Sequence, residues 1–251
     1  MEPIKHPDKS EGATLVKPYR SLLVELMYWV AFYRTKTLSA KEAARFVMLL
    51  DSKLYSLQGN AAVRYGNGIH TKHRHMQYHD FFVNRIIKNE KVLDVGCGIG
   101  AVSYAVAQRS GAIVIGIDLN LSNIEKARVG FNHANIVYIV GDALTDLPQN
   151  KFDVVILSNV LEHIENRIDF LKRLCLTVSL KRLLIRVPLF ERDWRVPLKK
   201  ELGIDYRLDS THFTEYTHES FSDEMKEAGL IITHLESRWG EIWAEAVPIG
   251  A

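Results

Sequence analysis

From residue 91 onward the chain alternates short β-branched runs with stretches of helical periodicity, and this alternation leaves few folds open. The runs are Lys91–Val95, Ala112–Ile117, Ile136–Val140, Phe152–Leu157 and Arg182–Val187. Helical stretches start near Ile99, Leu121 and Leu161. Strands separated by helical segments are the mark of successive βαβ units and a parallel sheet. Two last runs, Ile231–Ser237 and Glu241–Val247, flank Trp239-Gly240 and read as a closing antiparallel hairpin. A charged and aromatic stretch from Pro188 to Thr217 interrupts the alternation.

The first 90 residues have a different texture. Residues 1–18 read as an irregular arm, and Ser21–Tyr33 has the apolar spacing of a helix with one buried face. Ser39-Ala40-Lys41-Glu42 is a capping box, so a second helix should run to about Leu57 and stop at Gly59-Asn60. A loop at Tyr65-Gly66-Asn67-Gly68 leads to a basic stretch and a further helical piece at Asp80–Ile87. The longest apolar stretch, Leu22–Tyr33, is broken by Glu25 and is shorter than the roughly 20 residues a membrane span needs. The polar start of the chain lacks the apolar core of a signal peptide, and two cysteines, Cys97 and Cys175, fit a reduced compartment. The expected location is therefore cytoplasmic.

Charge divides at the same place. Residues 1–90 hold 14 Lys/Arg against 8 Asp/Glu, and the remainder 18 against 22, so a total of +2 conceals a basic and an acidic part. So small a total does not call for nucleic acid or an anionic surface as partner. The expected organisation is a helical cap or lid over residues 1–88, then a ligand-binding domain over 89–251 with an insertion at 188–217.

Val92-Leu93-Asp94-Val95-Gly96-Cys97-Gly98-Ile99-Gly100 is a buried strand, a glycine-dense turn and a helix start. Glycines let the backbone approach a ligand, and the helix start offers free N–H donors. Gly96, Gly98 and Ala101 fit the dinucleotide pattern G-x-G-x-x-A, with Asp118 placed for a ribose. An NAD-dependent oxidoreductase is therefore one reading. Asp94 favours another, because a carboxylate there suits a cationic group and would repel a pyrophosphate. Gly141-Asp142-Ala143 after the third strand and Ser158-Asn159 after the fourth extend the same edge.

These segments closely resemble the class I S-adenosylmethionine-dependent methyltransferases. The resemblance rests on Val-Leu-Asp-Val-Gly-Cys-Gly-Ile-Gly at 92–100, Gly-Ile-Asp-Leu-Asn at 116–120, Gly-Asp-Ala at 141–143 and Asp-Val-Val-Ile-Leu-Ser-Asn-Val-Leu-Glu-His at 153–163. It implies an α/β fold with a doubly wound, Rossmann-like seven-stranded sheet and a helical N-terminal region outside it. It also implies S-adenosyl-L-methionine as cofactor. Gly96, Cys97, Gly98 and Gly100 would form the loop under its methionine and ribose. Asp94 would hold the ammonium, Asp118 the ribose hydroxyls, Leu119 the adenine face, and Asp142 with Ala143 the adenine edge. Ser158 and Asn159 would line the methionine end, and Tyr78 or His75 would close over it as a lid.

The end of the fourth strand, Leu-Ser-Asn-Val-Leu, lacks the Asn/Asp-Pro-Pro-aromatic sequence of amino-methylating enzymes. A small molecule or glycan precursor methylated on oxygen is thus expected, with an RNA acceptor as runner-up and a non-catalytic cofactor-binding scaffold as a third class. Asp209-Ser210-Thr211-His212-Phe213-Thr214-Glu215-Tyr216-Thr217 resembles a segment of small-molecule methyltransferases whose histidine faces the active site. His212 and then His163 are the candidate bases, an imidazole being able to accept a proton at neutral pH. Trp194, Tyr206 and Tyr216 are candidates to stack on the acceptor. His70, His73, His75 and His79 lack the spacing or carboxylate support of a zinc site, and no metal is expected. His75 and His79 should share a helical face. Leu22–Tyr33 suggests a homodimer contact.

Overall fold

The protein is described by a computed structural model over residues 21–250. The arm expected over residues 1–18 lies outside the described residues. One compact unit ends at Asp51 and a second begins at Ser52.

In the first unit, α1 (Leu22–Lys36) precedes α2 (Ala40–Tyr65), whose later turns belong to the second unit. The capping box forms as expected. Ser39 N–H donates to Glu42 Oε2 at 3.1 Å, and Glu42 N–H to Ser39 Oγ at 3.4 Å. Two expectations fail here. No residue of α1 is buried, because its apolar side chains surround the whole axis instead of forming one stripe. Likewise α2 does not stop at Gly59-Asn60. The helix formers Ala61, Ala62 and Arg64 carry it on. It ends where Asn67 and Gly68 take positive φ and Gly68 N–H reaches back to Val63 O at 2.9 Å.

Two short helices, α3 (Thr71–Met76) and α4 (His79–Val83), lead into the sheet. Its strands are β1 (Lys91–Val95), β2 (Ile113–Asp118), β3 (Ile136–Val140), β4 (Phe152–Ser158), β5 (Leu180–Pro188), β6 (Leu230–Arg238) and β7 (Glu241–Pro248). Helices α5 (Ala101–Ser110), α6 (Leu121–Gly130), α7 (Arg167–Val178), α8 (Arg195–Glu201) and α9 (His218–Glu227) connect them. The strand order is β3-β2-β1-β4-β5-β7-β6, parallel except at β7, which is antiparallel to both β5 and β6. This is the doubly wound seven-stranded sheet with a closing hairpin.

Alternation along the strands divides the core into two layers. Leu93, Val155, Leu157 and Ile185 face Leu171, Leu174, Phe221 and Met225 of α7 and α9. Val92, Val114, Val154, Ile156 and Trp243 face Phe81 and Phe82 of α4 and Val102 and Val106 of α5. Both faces are covered, so the central strands read as continuous apolar runs. The helices after β1 and β4 leave in opposite directions along the sheet, which opens a crevice at the carboxyl ends of those two strands. Gly96, Asp118 and Ser158 all stand at that edge.

Candidate functional site

The turn after β1 is built by glycines for distinct reasons. Gly96, Gly98 and Gly100 all have positive φ, at 65°, 54° and 87°. A side chain at Gly96 would strike Val160, and one at Gly100 would strike the Tyr138 ring. A side chain at Gly98 would meet nothing within 4 Å, so open space lies above that residue. Gly100 is the N-cap of α5 and has no side chain to occupy the helix's first N–H groups. A ligand can therefore approach both the loop and the helix end.

Asp118 ends β2 and points back at this loop. Its Oδ2 accepts from Gly98 N–H at 2.8 Å, while Oδ1 accepts from Asn120 N–H at 2.9 Å and Asn123 Nδ2 at 3.2 Å. Leu119 beside it is 71% exposed, an apolar face on offer at the rim. Asp94 lies beneath, 1% exposed, accepting from Ser103 Oγ at 2.5 Å. Burial pushes its carboxyl up to about 7, against the Ser103 bond, with Asp118 adding repulsion. Cys97 packs inward, and burial raises its thiol well above the usual range, so it is a wall of the loop. Asp142 accepts from Leu144 N–H at 2.8 Å and turns the chain after β3, with Ala143 half-buried beside it. These positions fit a cationic, hydroxyl-bearing ligand with a flat apolar part.

Past β4, Asn159 adopts a left-handed conformation and its N–H donates to Arg186 O at 2.8 Å. Arg186 is a residue that sequence reasoning missed. It is buried and forms a bidentate pair with Glu241, at 2.7 and 2.9 Å, and its guanidinium lies 4.4 Å from the centre of the Tyr78 ring. Lys72 of α3 joins the same Glu241 at 2.8 Å. The segment before β1 is thus fastened beside Ser158, and Tyr78 is brought to the site.

His75 is not placed alongside it. The expected shared face of His75 and His79 is broken because Gln77 turns left-handed between two short helices. His75 stays exposed, while His79 is half-buried, and burial with nearby Arg186 lowers it to about 4.

A helix was expected from Leu161, but Leu161–His163 is a single 3₁₀ turn and α7 starts at Arg167. That turn meets the insertion, where Phe213 N–H donates to Glu162 O at 2.7 Å. His163 and His212 come together edge to face, with ring centres 4.6 Å apart. Glu162, also missed, is fully buried, and neither of its carboxylate oxygens has a hydrogen-bond partner. Burial pushes its carboxyl up to about 7 despite nearby His212 and Arg186. The signal for it was present in Leu161-Glu162-His163, though nothing in that run says which way the glutamate faces.

The aromatic candidates separate. Tyr216 is fully buried and its hydroxyl donates to Glu224 Oε2 at 2.9 Å, so it fills the core and does not face an acceptor. Trp194 is exposed, and Tyr206 is half-buried against Phe190 at 5.4 Å.

Residues 69–235 match the family model described as "Methyltransferase domain". The chain belongs to the class I S-adenosylmethionine-dependent methyltransferases. Among curated relatives, this methyltransferase is 33% identical over 120 residues to the ubiquinone biosynthesis O-methyltransferase of Bradyrhizobium diazoefficiens, covering 47% of each chain. It is 41% identical over 86 residues to the Pelagibacter ubique protein of the same name, covering 34% of this chain and 35% of the other. The matches span less than two thirds of the length of these relatives. Solved structures share the fold. Magnesium protoporphyrin IX methyltransferase from Synechocystis, with S-adenosylhomocysteine bound, superposes with TM-score 0.56 at 21% identity, covering 69% of this chain and 83% of that one. A small-RNA methyltransferase gives 0.58 at 15% identity, covering 70% and 25%. Membership decides against the nicotinamide alternative. Among the described residues, no helix of the methyltransferase is long and apolar enough to cross a membrane.

Proposed function

We propose that this methyltransferase binds S-adenosyl-L-methionine at the carboxyl edge of β1–β4 and transfers its methyl group to an oxygen of a small molecule. The observation that carries this is the Asp118 carboxylate spanning from the end of β2 to Gly98 under the open part of the loop. In this assignment Gly96, Cys97, Gly98 and Gly100 form the floor, Asp94 faces the ammonium and Asp118 the ribose. Leu119 covers one adenine face and Asp142-Ala143 its edge. Ser158, Asn159 and Tyr78 surround the methionine end. His75, exposed on α3, keeps only an outer part in the lid.

The cofactor supplies a sulfonium methyl, and the protein's task is to align the acceptor oxygen with it and relieve that oxygen of its proton. His163 and His212 stand where the insertion meets the end of β4, and both can present a nitrogen lone pair. Oxygen as acceptor atom is supported by the relatives' name, O-methyltransferase of ubiquinone biosynthesis, which favours a hydroxylated quinone precursor over a glycan precursor. The all-round apolar surface of α1 suits a second copy, and α3 and α4, which lead into β1, suit a cap that carries Tyr78 to the methionine end.

Methyl transfer from labelled cofactor to hydroxylated quinone precursors tests the assignment. Label in the precursor supports it. Label entering nuclease-sensitive polymer would shift the acceptor to RNA, and cofactor binding without transfer to any fraction would leave the scaffold class.

A further inference from the structure

Glu162, His163 and His212 each bring a potential metal-ligating atom into one cluster, with all three atoms within 4.8 Å of one another. The hydrogen bonds around them fix which nitrogen of each imidazole keeps a bare lone pair. Thr211 Oγ1 donates its only proton to Asp209 Oδ1 at 2.7 Å. Towards His163 Nδ1, 2.9 Å away, the same oxygen must then accept, so Nδ1 carries the hydrogen and Nε2 has the bare lone pair. On the other side His212 Nδ1 lies 3.4 Å from Glu215 Oε1. Glu215 is held as a carboxylate by Arg192 and by Leu208 N–H, so it can only accept, and His212 likewise keeps its Nε2 lone pair free. Each imidazole thus has an outer oxygen partner that fixes its tautomer, the arrangement that supports histidine ligands. The third member, Glu162, is fully buried with both carboxylate oxygens unpartnered. A buried carboxylate without a hydrogen bond is costly, and a cation beside it removes the cost.

We propose that Glu162, His163 and His212 form a binding site for one first-row divalent metal ion, which holds and activates the acceptor oxygen. Two imidazole nitrogens and one carboxylate suit ions from Mn²⁺ to Zn²⁺ better than Mg²⁺ or Ca²⁺, which prefer all-oxygen shells. Three protein ligands leave positions open for the acceptor. The chemical role rests on the O-methyl transfer proposed above, whereas the site itself does not. A hydroxyl bound to the ion loses its proton to solvent more readily. Its oxygen lone pair then forms the bond to the methyl carbon, and the carbon–sulfur pair leaves with sulfur. The products are a methyl ether and S-adenosylhomocysteine. The two histidines then act as ligands and not as bases.

Co²⁺ titration of the full chain after chelator treatment, followed by its visible absorption, tests the site. One equivalent should bind to the unaltered protein. Glu162→Gln, which keeps the shape of the side chain, should weaken binding by at least about tenfold, and so should Thr211→Val, which removes the partner of His163. Melting curves and S-adenosylhomocysteine titrations of each variant check that fold and cofactor site persist. No stoichiometric Co²⁺ binding, or unchanged binding in folded Glu162→Gln, would overturn the site. If S-adenosylhomocysteine still binds in that case, the cofactor assignment stands without the ion. If Co²⁺ binds and S-adenosylhomocysteine does not, the ion site survives and the methyltransferase assignment falls.

Discussion

Asp118 Oδ2 accepts the N–H of Gly98 at 2.8 Å, so the end of β2 sets the shape of the loop that follows β1. The same carboxylate is proposed to meet the ribose hydroxyls. Asp118→Ala therefore removes a ligand contact and frees the loop together. Cofactor affinity should fall by about 10- to 100-fold, the scale of one or two charge-assisted hydrogen bonds. Calorimetry with S-adenosylhomocysteine measures this, and an unchanged dissociation constant would exclude Asp118 from the site.

Two glycines of that loop should answer differently to alanine. Both have positive φ, which costs an alanine roughly 1–2 kcal/mol. At Gly100 the new methyl also strikes the Tyr138 ring, whose hydroxyl donates to Phe131 O at 2.9 Å and cannot move freely. At Gly98 the methyl enters open space. Gly100→Ala should then lower the urea midpoint more, while Gly98→Ala should lower cofactor affinity more than stability. Equal effects of the two on both measurements would contradict an open ligand face at Gly98.

Asp94 gives cofactor binding a pH dependence with a definite sign. Burial raises its carboxyl to about 7, so in the free protein it is largely protonated under mildly acidic conditions. Between its ordinary value and 7 the native state binds a proton that the unfolded chain does not, so Asp94 makes the free protein less stable as pH rises through that window. A cationic ligand needs the ionised form. Affinity for S-adenosylhomocysteine should therefore fall about tenfold per pH unit below pH 7 and level off above it. Asp94→Asn should bind more weakly and lose the slope, and a slope that persists in this variant would assign it to another group.

The strands around the site were legible because both faces of the central sheet are buried, and only apolar, β-branched runs satisfy that. The loop was legible because three positive-φ positions in five residues leave little choice but glycine. What the sequence concealed were side chains whose role depends on distant partners. His163 and His212 each drew notice alone, but their meeting follows from the Phe213–Glu162 backbone bond between separate segments. Arg186 reads as a charge on a strand until β7 returns antiparallel and brings Glu241, paired with Pro188 two residues along, within reach of its guanidinium. Tyr216 looked like an acceptor contact, and only the packing of α9 shows it enclosed.

That enclosure makes Tyr216→Phe a useful separation of roles. The hydroxyl donates to Glu224, which also holds Arg167 through a 2.8 Å contact. Losing one buried hydrogen bond to a charged acceptor should cost about 1.5–3 kcal/mol of stability. The Michaelis constant for the acceptor should not change, since no atom of this residue faces the crevice. A selective rise in that constant with stability intact would return Tyr216 to the acceptor site.

Arg186 and Glu241 have side chains only 6% and 4% exposed, so each neutralises a charge that could not otherwise stay buried. Removing one partner leaves the other unpaired, and Glu241→Ala should cost about 3–5 kcal/mol. Lys72 loses its anchor in the same step, so α3 should loosen and its amides should exchange faster with solvent. Replacing both partners with apolar residues, as in Arg186→Met with Glu241→Leu, removes the stranded charge and should recover much of the stability. It would not restore the cation over the Tyr78 ring or the link to Lys72. The double variant should therefore unfold near the unaltered midpoint in urea while binding S-adenosylhomocysteine several-fold more weakly. If both stability and affinity recover fully, the pair does not position Tyr78 at the cofactor.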